Sequence, residues 1–361
     1  MKDSYLTAGI RLTPLIRLIR RNHVSLRPKY LARMAFLLQS SLWSTLFSRI
    51  ETMRYQKVLR DFPAPRDPVF IIGHWRTGST FLHQLMSRDP QMTAPTLFQV
   101  AQPDSFLTSY PYYQPLFKRI VSKHRPMDMV RLGMNEPQED EYAIYRMTCS
   151  SPLEKLIFPD QKSYFLSGED SFLPPPECAP AWERQLVHFM KKIHFQTGKR
   201  VVSKNPFNSF RIKTLIRLFP QARFIHIVRN PLNSVPSTIH MWDIVQRQNC
   251  LNRNHHRPEV SEVCDVMNAM DETIRQQAAG LPPGRYCEVR YEELEKDPVS
   301  CIRSAYSELG IPFSETFEHN ITHFLEEVSG YRKNVFSLSE TDKQTILDKM
   351  KGFMSRYGYF C

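Results

Sequence analysis

Two short basic stretches carry the residue types best suited to holding phosphate. The first, IIGHWRTGST at residues 71–80, contains Arg76 before a Gly-Ser-Thr turn. The second, FIHIVRNPLNSVPS at residues 224–237, contains Arg229 and, eight residues later, Ser237. In each stretch an apolar run predicts a buried strand that leads through a loop into a helix, where backbone N–H groups bind anions. Together the stretches predict the two halves of a site for a nucleotide with phosphate at both ends.

The first stretch is close to the nucleotide-triphosphatase loop but lacks its lysine. From Gly73 the spacing is G-x-x-x-x-G-S-T, and Ser79 stands where that loop carries lysine. We expect Arg76 to supply the cation. The phosphate or sulfate would then be held by the turn and the first helical residues, Thr77, Gly78, Ser79 and Thr80.

The second stretch has the wrong charge for a magnesium-dependent triphosphatase, which needs a carboxylate at the end of a second strand. The strand predicted at residues 223–228 ends in Arg229 instead. Asn230 and Pro231 then predict a capped helix, whose early turns bring Ser237 near Arg229. Arg229 can clamp a phosphate with two hydrogen bonds, and the Ser237 hydroxyl adds a third donor. Taken alone, this motif equally fits a surface arginine beside an ordinary helix cap.

In this order, over residues 68–310, the segments resemble sulfotransferases that use 3′-phosphoadenosine 5′-phosphosulfate (PAPS). Residues 76–86 resemble the family's 5′-phosphosulfate loop, and Arg229 with Ser237 resembles its 3′-phosphate clamp. VSKNPF at residues 202–207 resembles the strand end that bears a lysine, and YEELEKDP at residues 291–298 the segment after the third major strand. The resemblance implies an α/β fold with a P-loop-like parallel sheet flanked by helices. It also implies an enzyme that moves a sulfuryl group from PAPS to an acceptor.

Two departures from the family pattern affect the expected chemistry. Cytosolic members usually carry lysine where this chain has Arg76, and histidine where it has Pro206. An arginine in the loop and a carboxylate base look more like the bacterial and Golgi-type branches. The resemblance further implies that a late basic loop, Arg332 and Lys333, holds the 3′-phosphate, with a solvated turn as the alternative.

In-line transfer at sulfur needs positioned reactants, neutralised oxygens and a base, as phosphoryl transfer does. Arg76 and Lys204 are the candidates for neutralising charge, and neither the chemistry nor any ligand spacing in the sequence calls for a metal. For the base we expect Glu139, in the acidic cluster NEPQEDE at residues 135–141, with Asp140 next.

The acidic cluster has a plainer alternative explanation. Asn135 and Gln138 also match a capping box at a helix start, where acids are favoured. His74 and His83, which lie near the donor loop, are the other candidates for the base.

Length and composition predict one catalytic domain with an extension. The chain has 361 residues, of which 42% are hydrophobic, enough for a full core. We expect a helical N-terminal extension at residues 1–66 and a catalytic domain at 67–361. Residues 97–199 would form a mostly helical insertion that builds the acceptor side. Seven scattered cysteines indicate reduced thiols and a cytoplasmic protein.

The net charge of +12 fits a polyanionic donor, an anionic membrane surface or nucleic acid. No nucleic-acid-binding module is recognisable, so we expect no nucleic-acid partner. In the extension, residues 10–21 read as a basic helix lying on the inner membrane surface. Residues 34–48 are fifteen uncharged residues, fewer than the about 20 that a membrane span needs. An apolar stripe at helical spacing, Leu31, Met34, Leu38, Leu42 and Leu46, would pack on the catalytic domain or contact the membrane peripherally.

The acceptor is predicted to be a small molecule, most simply a sterol-like or lipid alcohol. Aromatic residues of the insertion could line its pocket: Phe98, Phe106, Tyr110, Tyr112, Tyr113 and Phe117. They suit a carbohydrate hydroxyl equally well. Two hypotheses from other classes remain open: a P-loop nucleotide kinase, which would need magnesium and ATP, and a membrane adaptor without enzymatic activity.

Overall fold

The computed structural model describes residues 6–22, 28–120, 133–158, 172–250, 257–330, 334 and 336–359. The predicted basic loop residues Arg332 and Lys333 lie outside these ranges. So does the side chain of Phe117, which the sequence places among the acceptor-lining aromatics.

A five-stranded parallel sheet lies at the centre of this described part of the chain. Its strands are β1 (Val69–Ile72), β2 (Met92–Thr93), β3 (Arg200–Lys204), β4 (Arg223–Val228) and β5 (Tyr286–Arg290), in the order β2-β3-β1-β4-β5. Strand β1 is central, because Ile71 pairs with Lys204 on one side and Ile225 on the other. The two motif-bearing strands, β1 and β4, are therefore neighbours.

Helices cover both faces of the sheet, because alternate residues of β1 enter two different apolar clusters. Phe70 and Ile72 point into one, Val69 and Ile71 into the other. The helices up to β3 are α1 (Leu12–Arg21), α2 (Pro28–Asp61), α3 (Ser79–Met86), α4 (Leu97–Ala101), α5 (Phe106–Ile120), α6 (Glu141–Thr148), α7 (Glu154–Ile157) and α8 (Ala179–Thr197). After β3 come a 3₁₀ helix (Pro206–Phe210), α9 (Ile212–Leu218), α10 (Pro231–Asn249), α11 (Val260–Ala278), α12 (Tyr291–Lys296), α13 (Pro298–Glu308), α14 (Glu315–Glu327), α15 (Glu340–Lys349) and α16 (Lys351–Arg356). The predicted α/β class with a parallel sheet is confirmed.

The helix α2 packs on the rest of the molecule, but not through the stripe expected from the sequence. Leu31, Leu38, Leu42 and Leu46 are exposed, and Met34 alone of the stripe is buried. Ser41, Ser44 and Ser48 are buried instead. Small serines let the backbone at Gly9 come close to α2, where the Ser44 hydroxyl donates to the Gly9 carbonyl at 2.7 Å. The expectation of a leucine face against the domain was wrong for this reason.

Residues 97–199 are helical wherever the structure describes them, apart from short connecting segments. Phe98 and Phe106 are core residues here, whereas Tyr112 is exposed. The capping box proposed at Asn135 and Gln138 does not form, because α6 begins only at Glu141, after Asp140. The acidic cluster is thus left in a loop before α6.

One apolar core joins the N-terminal extension to the sheet. Leu15, Leu18 and Leu37 from α1 and α2 belong to the same buried cluster as Phe70 and Phe224. No described helix combines the length and the hydropathy that crossing a lipid bilayer would take.

Candidate active site

The loop after β1 turns through three residues with positive φ. Gly73 has φ 127° and Gly78 φ 89°, and Arg76 itself adopts φ 63°, which is costly for a residue with a Cβ. The Ser209 hydroxyl accepts from the Gly73 N–H at 2.9 Å, and the Thr77 hydroxyl donates to the His74 carbonyl at 2.7 Å. Helix α3 then begins at Ser79, with Thr80 in its first turn.

The two arginine motifs meet at the carboxyl ends of the neighbouring strands β1 and β4. Arg229 Nη1 donates to the backbone carbonyl of Arg76 at 3.0 Å. Arg76 Nε donates to the hydroxyl of Ser237 at 2.9 Å. Three predicted phosphate-binding residues therefore share one cluster, although they come from stretches far apart in the chain.

Tyr291, the first residue of α12, is a further member of this cluster that the sequence reasoning did not single out. The guanidinium carbon of Arg229 lies 4.4 Å from the centre of its ring, as in a cation–π pair. A Cβ on Gly78 would lie 2.0 Å from the same ring. Its place directly after the strand β5 was the available signal, because strand ends of a parallel sheet meet at one edge.

Lys204, the last residue of β3, pairs with Glu139 from the loop before α6. Both side chains are largely buried. Because β3 lies beside β1, the pair sits at the same sheet edge as the loop after β1. The structure thus brings together the predicted cation and the predicted base.

Asp140 links the chain segments that carry Lys204 and Glu139. Its carboxylate accepts from the Ser203 hydroxyl and from the Asn205 side-chain amide, each at 2.6 Å. These donors flank Lys204 in sequence, and Asp140 itself follows Glu139. Burial, and to a lesser degree the neighbouring Glu141 carboxylate, raises the pKa of Asp140 to about 6.

A buried ion pair between Glu141 and Arg211 lies next to Asp140. The sequence analysis did not predict this pair. Arg211 donates from both terminal nitrogens, at 2.6 and 3.2 Å, to the two carboxylate oxygens. The Asn205 amide and the Ser151 hydroxyl also donate to Glu141, at 2.8 and 2.5 Å. Burial opposes ionisation, but Arg211 and these donors outweigh it and lower the pKa of Glu141.

The two histidines near the loop are buried among core groups. Burial lowers the pKa of His74 to about 4, and its ring lies edge-on to Trp75 at 5.4 Å. Burial, with the charge of Lys204, lowers the pKa of His83 to about 3, and its Nε2 lies 3.3 Å from the Val202 carbonyl. Both are thus neutral at pH 7, held in place by packing and by backbone carbonyls.

Within the residues that the structure describes, no group of three or more His, Cys, Asp or Glu side chains is arranged to hold a metal ion. The cations of the site are side chains: Arg76, Lys204 and Arg229. They suit an anionic ligand with charge at two ends.

Comparison with known proteins identifies the family of this chain. A model described as "Sulfotransferase family" matches residues 68–315, a range that contains all five strands of the sheet. The chain belongs to the sulfotransferase family. It is a sulfotransferase enzyme.

Named relatives agree with this membership. The chain is 35% identical over 297 residues, 81% of its length and 75% of the relative's, to omega-hydroxy-beta-dihydromenaquinone-9 sulfotransferase Stf3 of Mycobacterium bovis. It is 24% identical, over 72% of its length and 68% of the relative's, to human carbohydrate sulfotransferase 5. The crystal structure of sulfotransferase STF9 from Mycobacterium avium superposes with a TM-score of 0.61 at 15% identity, covering 95% of each chain, which supports the fold.

Proposed function

We propose that this sulfotransferase moves a sulfuryl group from PAPS to the hydroxyl of a lipid-like alcohol. The observation that carries the proposal is the convergence of Arg76, Ser237 and Arg229 over the ends of β1 and β4. Two guanidinium groups and a row of backbone N–H groups at one sheet edge suit a nucleotide that is anionic at both ends. A triphosphatase would need a lysine at Ser79 and a carboxylate at Arg229, so the P-loop kinase alternative is disfavoured.

In this proposal the first loop holds the 5′-phosphosulfate. Arg76, Thr77 and the N-terminal residues of α3, Gly78, Ser79 and Thr80, surround that end of the donor. Arg229 and Ser237 hold the 3′-phosphate, and the Tyr291 ring contacts the Arg229 guanidinium and helps to position it. Arg332 and Lys333 remain predicted additions to this clamp.

The proposed reaction is an in-line displacement at sulfur. The acceptor oxygen forms a bond to sulfur while the bond from sulfur to the bridging phosphate oxygen breaks, and 3′,5′-adenosine bisphosphate leaves. Lys204 and Arg76 offset the negative charge that grows on the leaving and sulfuryl oxygens. Glu139 accepts the hydroxyl proton.

The contacts of Asp140, the second candidate base, indicate a positioning role instead of proton transfer. Both of its carboxylate oxygens accept hydrogen bonds from residues that flank Lys204. We therefore infer that it positions Glu139 and Lys204 relative to each other. Glu139 instead pairs directly with the lysine.

The lipid-like acceptor is supported by the 35% identical relative, whose name specifies a hydroxylated menaquinone. A carbohydrate hydroxyl is the second candidate, because human carbohydrate sulfotransferase 5 is also similar. The closer similarity and the apolar helical insertion favour the lipid. Residues 97–199 would build the acceptor side of a catalytic domain at 67–361.

We further propose a cytoplasmic location with peripheral contact at the membrane through residues 1–66. All six cysteines in the described ranges are free thiols, which suits a reducing compartment. A lipid acceptor would also be reached most easily from the membrane surface. Nucleic acid is not an expected partner.

Donor binding is tested by calorimetry with 3′,5′-adenosine bisphosphate in the absence of magnesium. We expect Arg229→Lys to weaken binding roughly tenfold or more, because lysine keeps the charge but loses the planar two-donor contact. Ser237→Ala should weaken it less. Arg217→Lys, at an exposed arginine paired with Glu183, is the matched control and should bind normally. Binding that requires magnesium, or an Arg229→Lys variant equal to the control, would contradict the proposal.

Chemistry and acceptor are tested with labelled PAPS and two acceptors, an isoprenoid quinol with a terminal hydroxyl and a simple sugar. Glu139→Gln should lower kcat by about 10²–10⁴ while donor binding is kept, as for loss of a general base. Transfer to the sugar alone would replace the lipid acceptor by the carbohydrate alternative. Full activity in Glu139→Gln would move the base to another group.

A further inference from the structure

The outer side of α2 is apolar over four turns. Leu31, Leu38, Leu42 and Leu46, here called the leucine face, each leave between 41% and 56% of their surface exposed. At about 100° per residue these positions fall within a sector of about 80°, and they extend along about 22 Å of the helix. Exposed apolar patches of this size mark interaction sites in soluble proteins.

The leucine face is exposed although α2 packs against the rest of the molecule through its opposite side. The opposite side of α2 is fully engaged, with Ser44 bonded to the Gly9 carbonyl and Glu51 paired with Lys192. Because serines occupy the side that faces the core, the leucines on the outer side contribute little to packing. Packing within the chain therefore does not explain why leucines occupy these positions.

Aromatic side chains widen the leucine face on the side of α5. Trp43 and Phe47 of α2 lie with ring centres 6.2 Å apart, and Phe47 lies 5.4 Å from Tyr112 of α5. Trp43 and Tyr112 are both well exposed. Tryptophan and tyrosine suit the boundary between lipid and water, because each combines an apolar ring with one polar atom.

Positive charge follows the leucine face along the same helix. The exposed residues Arg49, Arg54, Lys57 and Arg60 lie in the next turns of α2. Of the two acids of this helix, Glu51 is buried against Lys192, so Asp61 at the end is the exposed one. This pattern complements an anionic lipid surface.

We propose that α2 lies flat on a bilayer containing anionic phospholipid, with the leucine face in the acyl boundary and the four cations among the headgroups. Amphipathic helices bind membranes in this way through apolar area together with basic charge. The sequence pattern alone left this stripe open between packing on the catalytic domain and contact with the membrane. The inference needs neither donor nor acceptor, so it stands or fails separately from the proposed reaction.

The test is flotation of the full chain with two kinds of vesicle, phosphatidylcholine alone and phosphatidylcholine with about 30% phosphatidylglycerol. The wild type should float with the anionic vesicles, and less so as salt rises. Leu42→Ser/Leu46→Ser should lower the vesicle partition coefficient roughly tenfold. Arg49→Gln/Arg60→Gln should weaken binding to the anionic vesicles and reduce its salt dependence.

The matched control is Val58→Ser, at a residue 49% exposed on the same helix. It lies about 160° around the helix axis from Leu42, away from the leucine face. Val58→Ser should float like the wild type, and thermal unfolding followed by circular dichroism shows whether each variant is folded. Three results would overturn the proposal: a wild type that binds neither vesicle, equal losses in the control and the leucine variant, or a dimer that dissociates in the leucine variant.

Discussion

At Gly78 there is room for a hydrogen atom but not for a side chain. Its φ of 89° and the Tyr291 ring, 2.0 Å from where a Cβ would lie, leave no room for a side chain. The Arg229 guanidinium in turn lies over this ring, so the glycine allows the loop after β1 and Arg229 to approach each other. A loop glycine here is a structural requirement of the cluster as well as of the turn.

We predict that Gly78→Ala lowers the free energy of unfolding by about 2–4 kcal/mol, through backbone strain and steric overlap together. Gly198→Ala is the control, because Gly198 has a φ of 69° but nothing within 4 Å of its Cβ position. That variant should lose only about 1–2 kcal/mol. Urea unfolding measures both. Equal losses would mean that the Tyr291 contact contributes nothing.

Asp140 makes stability depend on pH in an unusual direction. Its folded pKa of about 6 lies above the ordinary 3.8, so between these values the folded state binds more protons than the unfolded state. The free energy of unfolding therefore falls, from this group, as pH rises through that window. The two-unit shift corresponds to something on the order of 3 kcal/mol.

We predict that Asp140→Asn abolishes this decline. Asparagine can accept from Asn205 and donate to the Ser203 hydroxyl, so the hydrogen bonds survive without a titrating group. Urea unfolding of both proteins between about pH 4 and pH 7 should show the variant gaining, relative to the wild type, on the order of 3 kcal/mol as pH rises. A stability difference independent of pH would refute the assignment.

The buried side of α2 carries serines as well as apolar residues. Gly9 and the N-terminal segment approach it closely through hydrogen bonds: Ser40 Oγ accepts from the Gly9 N–H at 3.1 Å, and Ser44 Oγ donates to the Gly9 carbonyl. Leucines at the serine positions would hold the backbones apart. Hydrogen bonds to small side chains thus take the place of apolar packing at this contact.

Two buried serines of α2 provide a matched pair for measuring that contact. Ser44→Ala should destabilise the protein by about 1–3 kcal/mol, since it leaves the Gly9 carbonyl without its donor. Ser41 is equally buried, but its hydroxyl has no hydrogen-bond partner among the described residues. Ser41→Ala should therefore be neutral or stabilising by up to about 1 kcal/mol. Thermal unfolding compares them, and similar losses in both would rule out a specific role for the Ser44 bond.

Across the whole molecule, a buried ion pair ties the N-terminal extension to the helical insertion. Lys192 of α8 pairs with Glu51 of α2 and donates to the Pro103 carbonyl at 2.6 Å. Burial raises the pKa of Glu51 and lowers that of Lys192, so the desolvation of the pair outweighs its attraction. Such a pair is costly to break on one side only.

We predict that Lys192→Met lowers the free energy of unfolding by about 3–5 kcal/mol, because the Glu51 charge remains buried alone. The double variant Glu51→Gln/Lys192→Met should recover at least half of that loss. Glutamine is neutral and still accepts from the Thr108 N–H, which lies 3.0 Å from the Glu51 carboxylate. Additive losses in a double-mutant cycle by urea unfolding would show that the two charges are not coupled.

Local patterns were enough to predict the strands β1 and β4, which carry the two arginine motifs. The strand β4 at Arg223–Val228 was predicted residue for residue, because an apolar run indicates a strand over a few residues. Arg76, Arg229 and Ser237 followed from one topological rule, that parallel strands end at a common edge. The meeting of these three residues could thus be predicted from the sequence.

The features that the sequence analysis did not predict depend on contacts between residues far apart in the chain. The pairing of Glu141 with Arg211, the burial of Asp140 and the contact of Gly78 with Tyr291 join residues whose separation in the chain carries no periodic signal. The outward leucines of α2 are the clearest case, because a helical pattern reveals two faces but not which one a neighbour covers. Here Gly9 approaches the serine side through hydrogen bonds, and the leucines remain at the surface.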